Sequence, residues 1–381
     1  MFNYIKTLED LINAPRKENR TGVNTRSMTF KNMDFMLDHG RNFPAITTKR
    51  LPIKSVLGEL LGFIRGADNA QTFKDLGSSV WKANANVQSA EGLPPNKWLN
   101  NKWRKGEDDL GRIYGVQWRQ WEDTRLTQGA DEDFMRSLGY ERLGQFFKKG
   151  DEKMTIVWHR DIDQMANIVH EIKHNPNSRR MIISAWNPSD MENMALPPCH
   201  VLQHYLCEEM SVPERIEAHI VRLENEAIWY RAERDIVRKN VENHIMHELG
   251  RDVKPTHENL DEWNLPRHRL NLIMYQRSAD FVLGSPFNIA SYAAMLQIMA
   301  RMTNTSPGNF HYLTGDTHIY ENHLNAAQEQ VRRTPMTDQC RLLIDPKLVT
   351  LEDFETATTD NFRLFNYHNH GPLKHSTPMA I

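Results

Sequence analysis

The chain has 381 residues, with 47 Lys and Arg against 49 Asp and Glu and a formal net charge of −2. Charges of both signs are mixed throughout, which argues against a general nucleic-acid or membrane-surface binder. No apolar run approaches the length that spans a bilayer. The cysteines, Cys199, Cys207 and Cys340, are too sparse and irregular for a disulfide framework, which points to the reducing cytosol.

The length allows two domains or one large α/β or α+β unit. In chain order, residues 1–80 predict a helix over Met1–Ala14, a strand over Ser27–Leu37 and an apolar helix over Ile53–Arg65. Residues 109–120 form a short block with Tyr114-Gly115 as turn punctuation. Residues 161–207 hold a helix, a strand over Met181–Trp186 and the Cys199 block. Residues 270–381 hold a strand over Leu272–Gln276, a long helix over Asn288–Thr303 and a mixed tail. Three stretches differ in character and are expected as insertions on this core: 85–108, 122–158 and 209–269. The last reads as one long charged helix, started by Pro213 and stopped by Gly250. Ile216, Ile220, Leu223, Ala227 and Tyr230 would form its apolar seam. His244 and His247 on that helix lack an evident third ligand, so no metal site is expected.

The chemistry centres on Ala195-Leu196-Pro197-Pro198-Cys199-His200, where a thiol stands beside an imidazole after a proline pair that fixes the backbone. A thiolate is a strong nucleophile, but a thiol needs nearby positive charge or a base to become one. Arg179 and Arg180 upstream and Arg277 downstream are candidates, and with Arg20 they suit a phosphate, whose oxygens the guanidinium fork matches. Glu59 lies in an apolar helix, where a carboxyl tends to a raised pKa suited to proton shuttling; an exposed polar-face position is the alternative. Asn288 can read a pyrimidine edge that carries N–H beside C=O, or cap the following helix. His318 and Tyr320, two apart on a strand, share a face and could grip a sugar hydroxyl. No P-loop and no glycine-rich dinucleotide fingerprint occurs.

Taken together the motifs resemble the thymidylate synthase family and its phage hydroxymethylase branch. The matching pieces are Arg20-Thr21-Gly22, Thr47-Thr48-Lys49-Arg50, Glu59-Leu60-Leu61, Tyr114 to Arg119, Ser178-Arg179-Arg180, Ala195 to His200, Tyr275 to Ser278, Pro286 to Tyr292 and Gly315 to Tyr320, all in family order. The resemblance implies an α+β fold: one domain over 1–381, with a large mixed sheet, helices packed on one face and the sheet's other face forming a homodimer interface. It implies that Cys199 adds to C6 of dUMP, so that C5 attacks the one-carbon unit of the cosubstrate methylenetetrahydrofolate. By the same resemblance Arg20, Gln276, Arg277 and Ser278 bind the nucleotide, and Arg179 and Arg180 reach the partner's phosphate. Asn288 reads uracil rather than cytosine, and His318 and Tyr320 hold the deoxyribose. Glu59 and Tyr114 handle protons, and Trp81, Asp280, Leu283, Gly284 and Ile381 line the folate side. Asp280 and Asn288 also count among the expected catalytic residues.

Two products are open: dTMP with dihydrofolate by hydride transfer, or 5-hydroxymethyl-dUMP by capture of water. Three departures from the family pattern favour the hydroxymethylase: Gly62 where many members carry Trp, Pro52 for an aromatic or His, and Lys82 for an acidic residue. The missing indole at Gly62 is expected to leave room for a water beside Glu59. The C-terminal Pro378-Met379-Ala380-Ile381 is synthase-like. The sequence reading is therefore a cytoplasmic dUMP hydroxymethylase of phage type, with thymidylate synthase as the alternative. A catalytically silent nucleotide- or RNA-binding relative is a third class.

Overall fold

The computed structural model describes residues 2–19, 22–88, 95–128, 132–148, 153–250, 253–375 and Thr377. Its centre is a six-stranded sheet. Across it the strands run Arg16–Lys17, Thr25–Met36, Ser306–Tyr320, His268–Asp280, His200–Glu209 and Ile182–Ser184. All neighbours are antiparallel except His268–Asp280 with Ser306–Tyr320. A parallel pair requires a crossover, and here the Gly284–Met302 helix supplies it. That helix is buried along most of its length because Ala290, Ala293, Ala294 and Ala300 let it lie close to the sheet.

Burial alternates along the strands as a one-faced sheet demands. Leu270, Leu272, Met274, Tyr205, Phe310 and Tyr312 point into the core, where they meet the Ile53–Ile64 and Gly284–Met302 helices. Ile182 and Tyr275 on the other face are exposed, and Leu202, Leu206, Ile273 and Leu313 beside them are only half-buried. The expected mixed sheet with helices on one face is what the chain forms.

Several elements depart from the expectation. Tyr114-Gly115 does not make a turn: it opens a short helix, Tyr114–Arg119, whose side chains plug the core. The strand over Met181–Trp186 contracts to Ile182–Ser184, and the strand over Leu272–Gln276 extends to His268–Asp280. The single long helix of 209–269 is broken into Val212–Trp229 and Val237–Leu249, followed by a short helix His257–Glu262. Pro213 and Gly250 do mark its first start and its final stop. The packed stripe of the first piece also differs from the expected seam. Arg215, Ala218, Ile220, Val221 and Ile228 are buried, while Tyr230 is 59% exposed. Arg215 can be buried because its guanidinium donates to the Pro266 and Leu265 carbonyls and to Asp261. The expected insertion 122–158 widens to Trp121–Ile162, where the strands Trp121–Gln128, Glu141–Phe147 and Met154–Ile162 form a three-stranded antiparallel sheet with its own small core of Met135, Tyr140, Ile156 and Trp158. No helix among the described residues is long and apolar enough to cross a membrane.

Candidate active site

Cys199 sits at the end of the loop that feeds the His200–Glu209 strand, next to a bulge between His200 and Leu202. Bulges re-aim side chains at the ends of strands. The loop is fixed from several directions. The Cys199 N–H donates to the Tyr114 hydroxyl at 2.6 Å. The Arg277 N–H donates to the Cys199 carbonyl at 2.8 Å, and the Arg277 guanidinium donates to the Pro198 and Pro197 carbonyls at 2.8 and 3.0 Å. Arg277 therefore holds the Cys199 loop directly, a role that the sequence reading, which gave it to the thiol's charge and to the phosphate, did not include. Upstream, the Asp190 carboxylate accepts from Arg112 and Gln117, each at 2.8 Å, and from Asn187 at 3.1 Å. Burial would raise that carboxyl's pKa, but those hydrogen bonds outweigh it and hold it low.

Behind Cys199 the side chains form one buried aromatic cluster. The Tyr114 ring stacks on His200 at 4.1 Å, and His200 Nδ1 shares a 2.6 Å hydrogen bond with the Tyr292 hydroxyl. Burial pushes the His200 pKa down to about 3, so its imidazole is neutral at working pH and is not a source of positive charge for the thiol. Burial, and then the neighbouring Cys199, raises the Tyr114 phenol well above its ordinary value.

Glu59 lies inside the Ile53–Ile64 helix and is 7% exposed, which excludes the exposed polar-face position. The Trp81 indole N–H donates to Glu59 Oε1 at 2.9 Å. Burial pushes the carboxyl up to about 8, against the opposing pull of that hydrogen bond. Trp81 packs edge-on against Tyr114 at 5.7 Å, so the Cys199 loop and the buried Glu59 share one cluster. Beside them the expected vacancy at Gly62 is filled. A Cβ on Gly62 would come within 2.3 Å of the Phe73 ring. Phe73, fully buried, also packs against Phe63 and Trp81. The glycine is needed because the phenyl ring lies where a side chain would be. Lys82 turns toward Asp108 at 3.9 Å, and Pro52 stands as the N-cap of the Ile53–Ile64 helix.

The third wall is the turn from the His268–Asp280 strand into the Gly284–Met302 helix. Asp280 Oδ1 accepts the Val282 and Leu283 N–H groups at 3.1 and 3.2 Å. Gly284 sits between Asp280 and Asn288: its Cβ would lie 3.6 Å from Asp280 Cβ and 3.7 Å from Asn288 Oδ1. Asn288 is not an N-cap, since the helix begins at Gly284 and places Asn288 one turn in with its Oδ1 beside Gly284. Gln276 is buried, donating to the Ser278 carbonyl at 2.9 Å and accepting from Tyr312 at 2.8 Å. Lys49 donates to the Val282 carbonyl, and burial lowers its pKa to about 8 against the attraction of Asp280.

His318 and Tyr320 do sit together near the end of the Ser306–Tyr320 strand, rings 5.2 Å apart and edge-on. Asp316 orients His318 through Nδ1 at 3.1 Å and also binds Ser27 and Lys17. The hydrogen bond from His318, with those from Lys17 and Ser27, holds the Asp316 carboxyl far below the usual range. The Phe281 N–H donates to the His318 carbonyl at 2.8 Å, joining this wall to the Asp280 turn. Arg179 and Arg180 stand apart, exposed before the edge strand Ile182–Ser184. Arg20 and Ile381 lie outside the described residues. Among the described residues no cluster of three or more His, Cys, Asp or Glu could hold a metal.

Sequence reasoning missed the positioning groups: Asp190, Tyr292, Asp316, Lys49 and Phe73. Lys49 and Tyr292 fall within matched motifs and were findable. Asp316 also falls within a matched motif, two residues from the His318 it orients, whereas Asp190 and Phe73 lie outside the matched motifs and gave no local signal.

A family model described as thymidylate synthase matches residues 2–222 and 238–381, interrupted in the stretch where the Val212–Trp229 helix ends. Thymidylate synthases of Pseudomonas putida and Pseudomonas syringae pv. tomato are each 32% identical, and the alignment covers all of both chains in each case. A putative bifunctional dihydrofolate reductase-thymidylate synthase of Oryza sativa subsp. japonica is 31% identical over 98% of this chain and 56% of its own length. The chain belongs to the thymidylate synthase family, whose members transfer one carbon from methylenetetrahydrofolate.

Proposed function

We propose that this chain is a thymidylate synthase in the strict sense, converting dUMP and methylenetetrahydrofolate to dTMP and dihydrofolate. The observation that carries this choice over hydroxymethylation is the Phe73 ring against Gly62. Water capture needs a water held beside the one-carbon unit, and the space in which the sequence reading put one is taken by an apolar ring. The full-length likeness to proteins named thymidylate synthase points the same way. In this reading the Cys199 sulfur adds to C6 of the uracil, and Asn288 pairs with the base edge from its place in the helix. Arg20, Ser278 and the remaining donors of Arg277 hold the phosphate, joined by the partner subunit's copies of the exposed Arg179 and Arg180. His318, fixed by Asp316, and Tyr320 take the deoxyribose hydroxyl. Glu59, protonated up to about pH 8 by its burial, moves the proton at the pyrimidine while Trp81 fixes its orientation. Trp81, Asp280, Leu283, Gly284 and Ile381 line the folate side. Carbon transfer leaves a methylene on C5, and hydride from the folate reduces it to methyl.

The test is the folate's oxidation state. Dihydrofolate, followed by its absorbance, is expected to form one for one with dUMP consumed. Consumption of dUMP with no dihydrofolate would return the hydroxymethylase reading. Cys199→Ala is expected to abolish turnover while dUMP still binds. Unchanged turnover in that variant would remove Cys199 from the mechanism altogether.

A further inference from the structure

We infer that the cavity between the Val212–Trp229 helix and the C-terminal end of the Gly284–Met302 helix is a second binding site, for a small organic anion of nucleotide size. The cavity measures about 560 Å³, within the range of ligand pockets. It shares no residue with the site built around Cys199. Asn288 and Met302 stand at opposite ends of one helix, which separates the two sites by roughly 20 Å at 1.5 Å per residue.

Its charge is unbalanced. The charged side chains on its walls are Lys173, Arg222 and Arg301 against Glu226 alone, and burial lowers the His39 pKa, which keeps that ring neutral. Arg301 is already engaged: it donates to the Leu348 and Pro346 carbonyls at 2.8 and 2.7 Å and lies 3.6 Å from Glu226. Arg222 is different. Its guanidinium donates to Asn304 Oδ1 at 3.1 Å and meets His219 Nδ1 at 3.0 Å, both neutral partners, and among the described residues it makes no ion pair. The one acidic group on these walls that attracts it is Glu226, which Arg301 also faces, so the half-buried guanidinium is only partly compensated and an incoming anion adds charge-assisted hydrogen bonds. Gln297, on the same wall and 7% exposed, carries an amide nitrogen with no hydrogen-bond partner among the described residues. A rotation of that amide would present it to a ligand. Apolar side chains, among them Leu223 and Leu342, give the body of an organic ligand somewhere to rest.

The experiment uses the full chain with its active site saturated by dUMP. Citrate and inorganic pyrophosphate are titrated separately by calorimetry. One of them is expected to bind at one additional site, with the affinity about tenfold or more weaker in Arg222→Gln, while dUMP binding and turnover stay unchanged. Citrate binding identifies a carboxylate ligand, and pyrophosphate binding a phosphate ligand. Binding of neither, or equal binding by wild type and variant, overturns the inference and leaves Arg222 as a cation at a helix end. Should Arg222→Gln fail to fold, wild-type crystals soaked in selenate decide the matter. An anomalous peak within hydrogen-bond distance of Arg222 supports the site, and no peak there overturns it.

Discussion

At the scale of single residues, Glu59 is the group whose environment most constrains the chemistry. Its folded pKa of about 8 stands above the ordinary carboxylate value of 4.5. Between those two values the unfolded chain has lost a proton that the folded chain keeps, so this group's contribution to stability falls as pH rises through that window. Glu59→Gln removes the dependence: its melting temperature relative to wild type is expected to climb between about pH 5 and pH 8, read by scanning calorimetry. A constant difference across that window would show that Glu59 titrates normally. Turnover of the same variant should fall roughly 10²–10⁴-fold, the usual worth of a positioned proton donor. Wild-type turnover should itself decline as pH rises through about 8. Cys199 and Glu59 were legible in the sequence because each is an anomaly in its neighbourhood, a thiol after two prolines and a carboxyl in an apolar run. The second role of Arg277, gripping two carbonyls of the Cys199 loop, was not legible, because no pattern within either segment encodes that approach.

At the scale of elements, the Ile53–Ile64 helix and the Ala70–Asp75 helix are locked by the fit of Phe73 against Gly62. Gly62→Ala should destabilise by about 1–3 kcal/mol through overpacking, and Phe73→Ala by about 3–5 kcal/mol through the cavity it leaves, both measured by denaturant unfolding. Phe73→Ala also opens the space beside Glu59 and Trp81, so its product is expected to include hydroxymethyl-dUMP, detected by mass spectrometry. Methyl product alone from a folded Phe73→Ala would separate that space from the choice of product. This pairing is where reading the sequence failed most instructively. Gly62 by itself implies a loss of volume, but Phe73, 11 positions further along the chain, supplies that volume. The seam expected along the Val212–Trp229 helix fails for a similar reason. Its heptad-like spacing suggested one seam, but the helix turns the fully buried Arg215 and its carbonyl partners inward instead. Strands and the central helix were read well in kind and less well in extent, since hydrophobic periodicity marks an element's middle and capping contacts set its ends.

At the scale of the whole molecule, the sheet's second face carries Ile182, Leu202, Leu206, Ile273, Tyr275 and Leu313 without full cover from the described residues. An apolar sheet face of this kind is suited to an isologous contact with a second copy, and the exposed Arg179 and Arg180 precede its edge strand. The proposed homodimer predicts that Ile273→Asp yields monomers by sedimentation and loses turnover with them. It also predicts complementation: mixing inactive Cys199→Ala with inactive Arg179→Ala/Arg180→Ala subunits should restore activity, because one site of the mixed dimer keeps its own thiol and receives intact arginines. No recovery after verified subunit exchange would confine each site to one chain. The central claim, reduction rather than hydration of the one-carbon unit, is tested most directly by running the reaction in ¹⁸O-labelled water and weighing the nucleotide. The account predicts dTMP with no solvent oxygen incorporated. A hydroxymethyl nucleotide carrying the ¹⁸O label would contradict it.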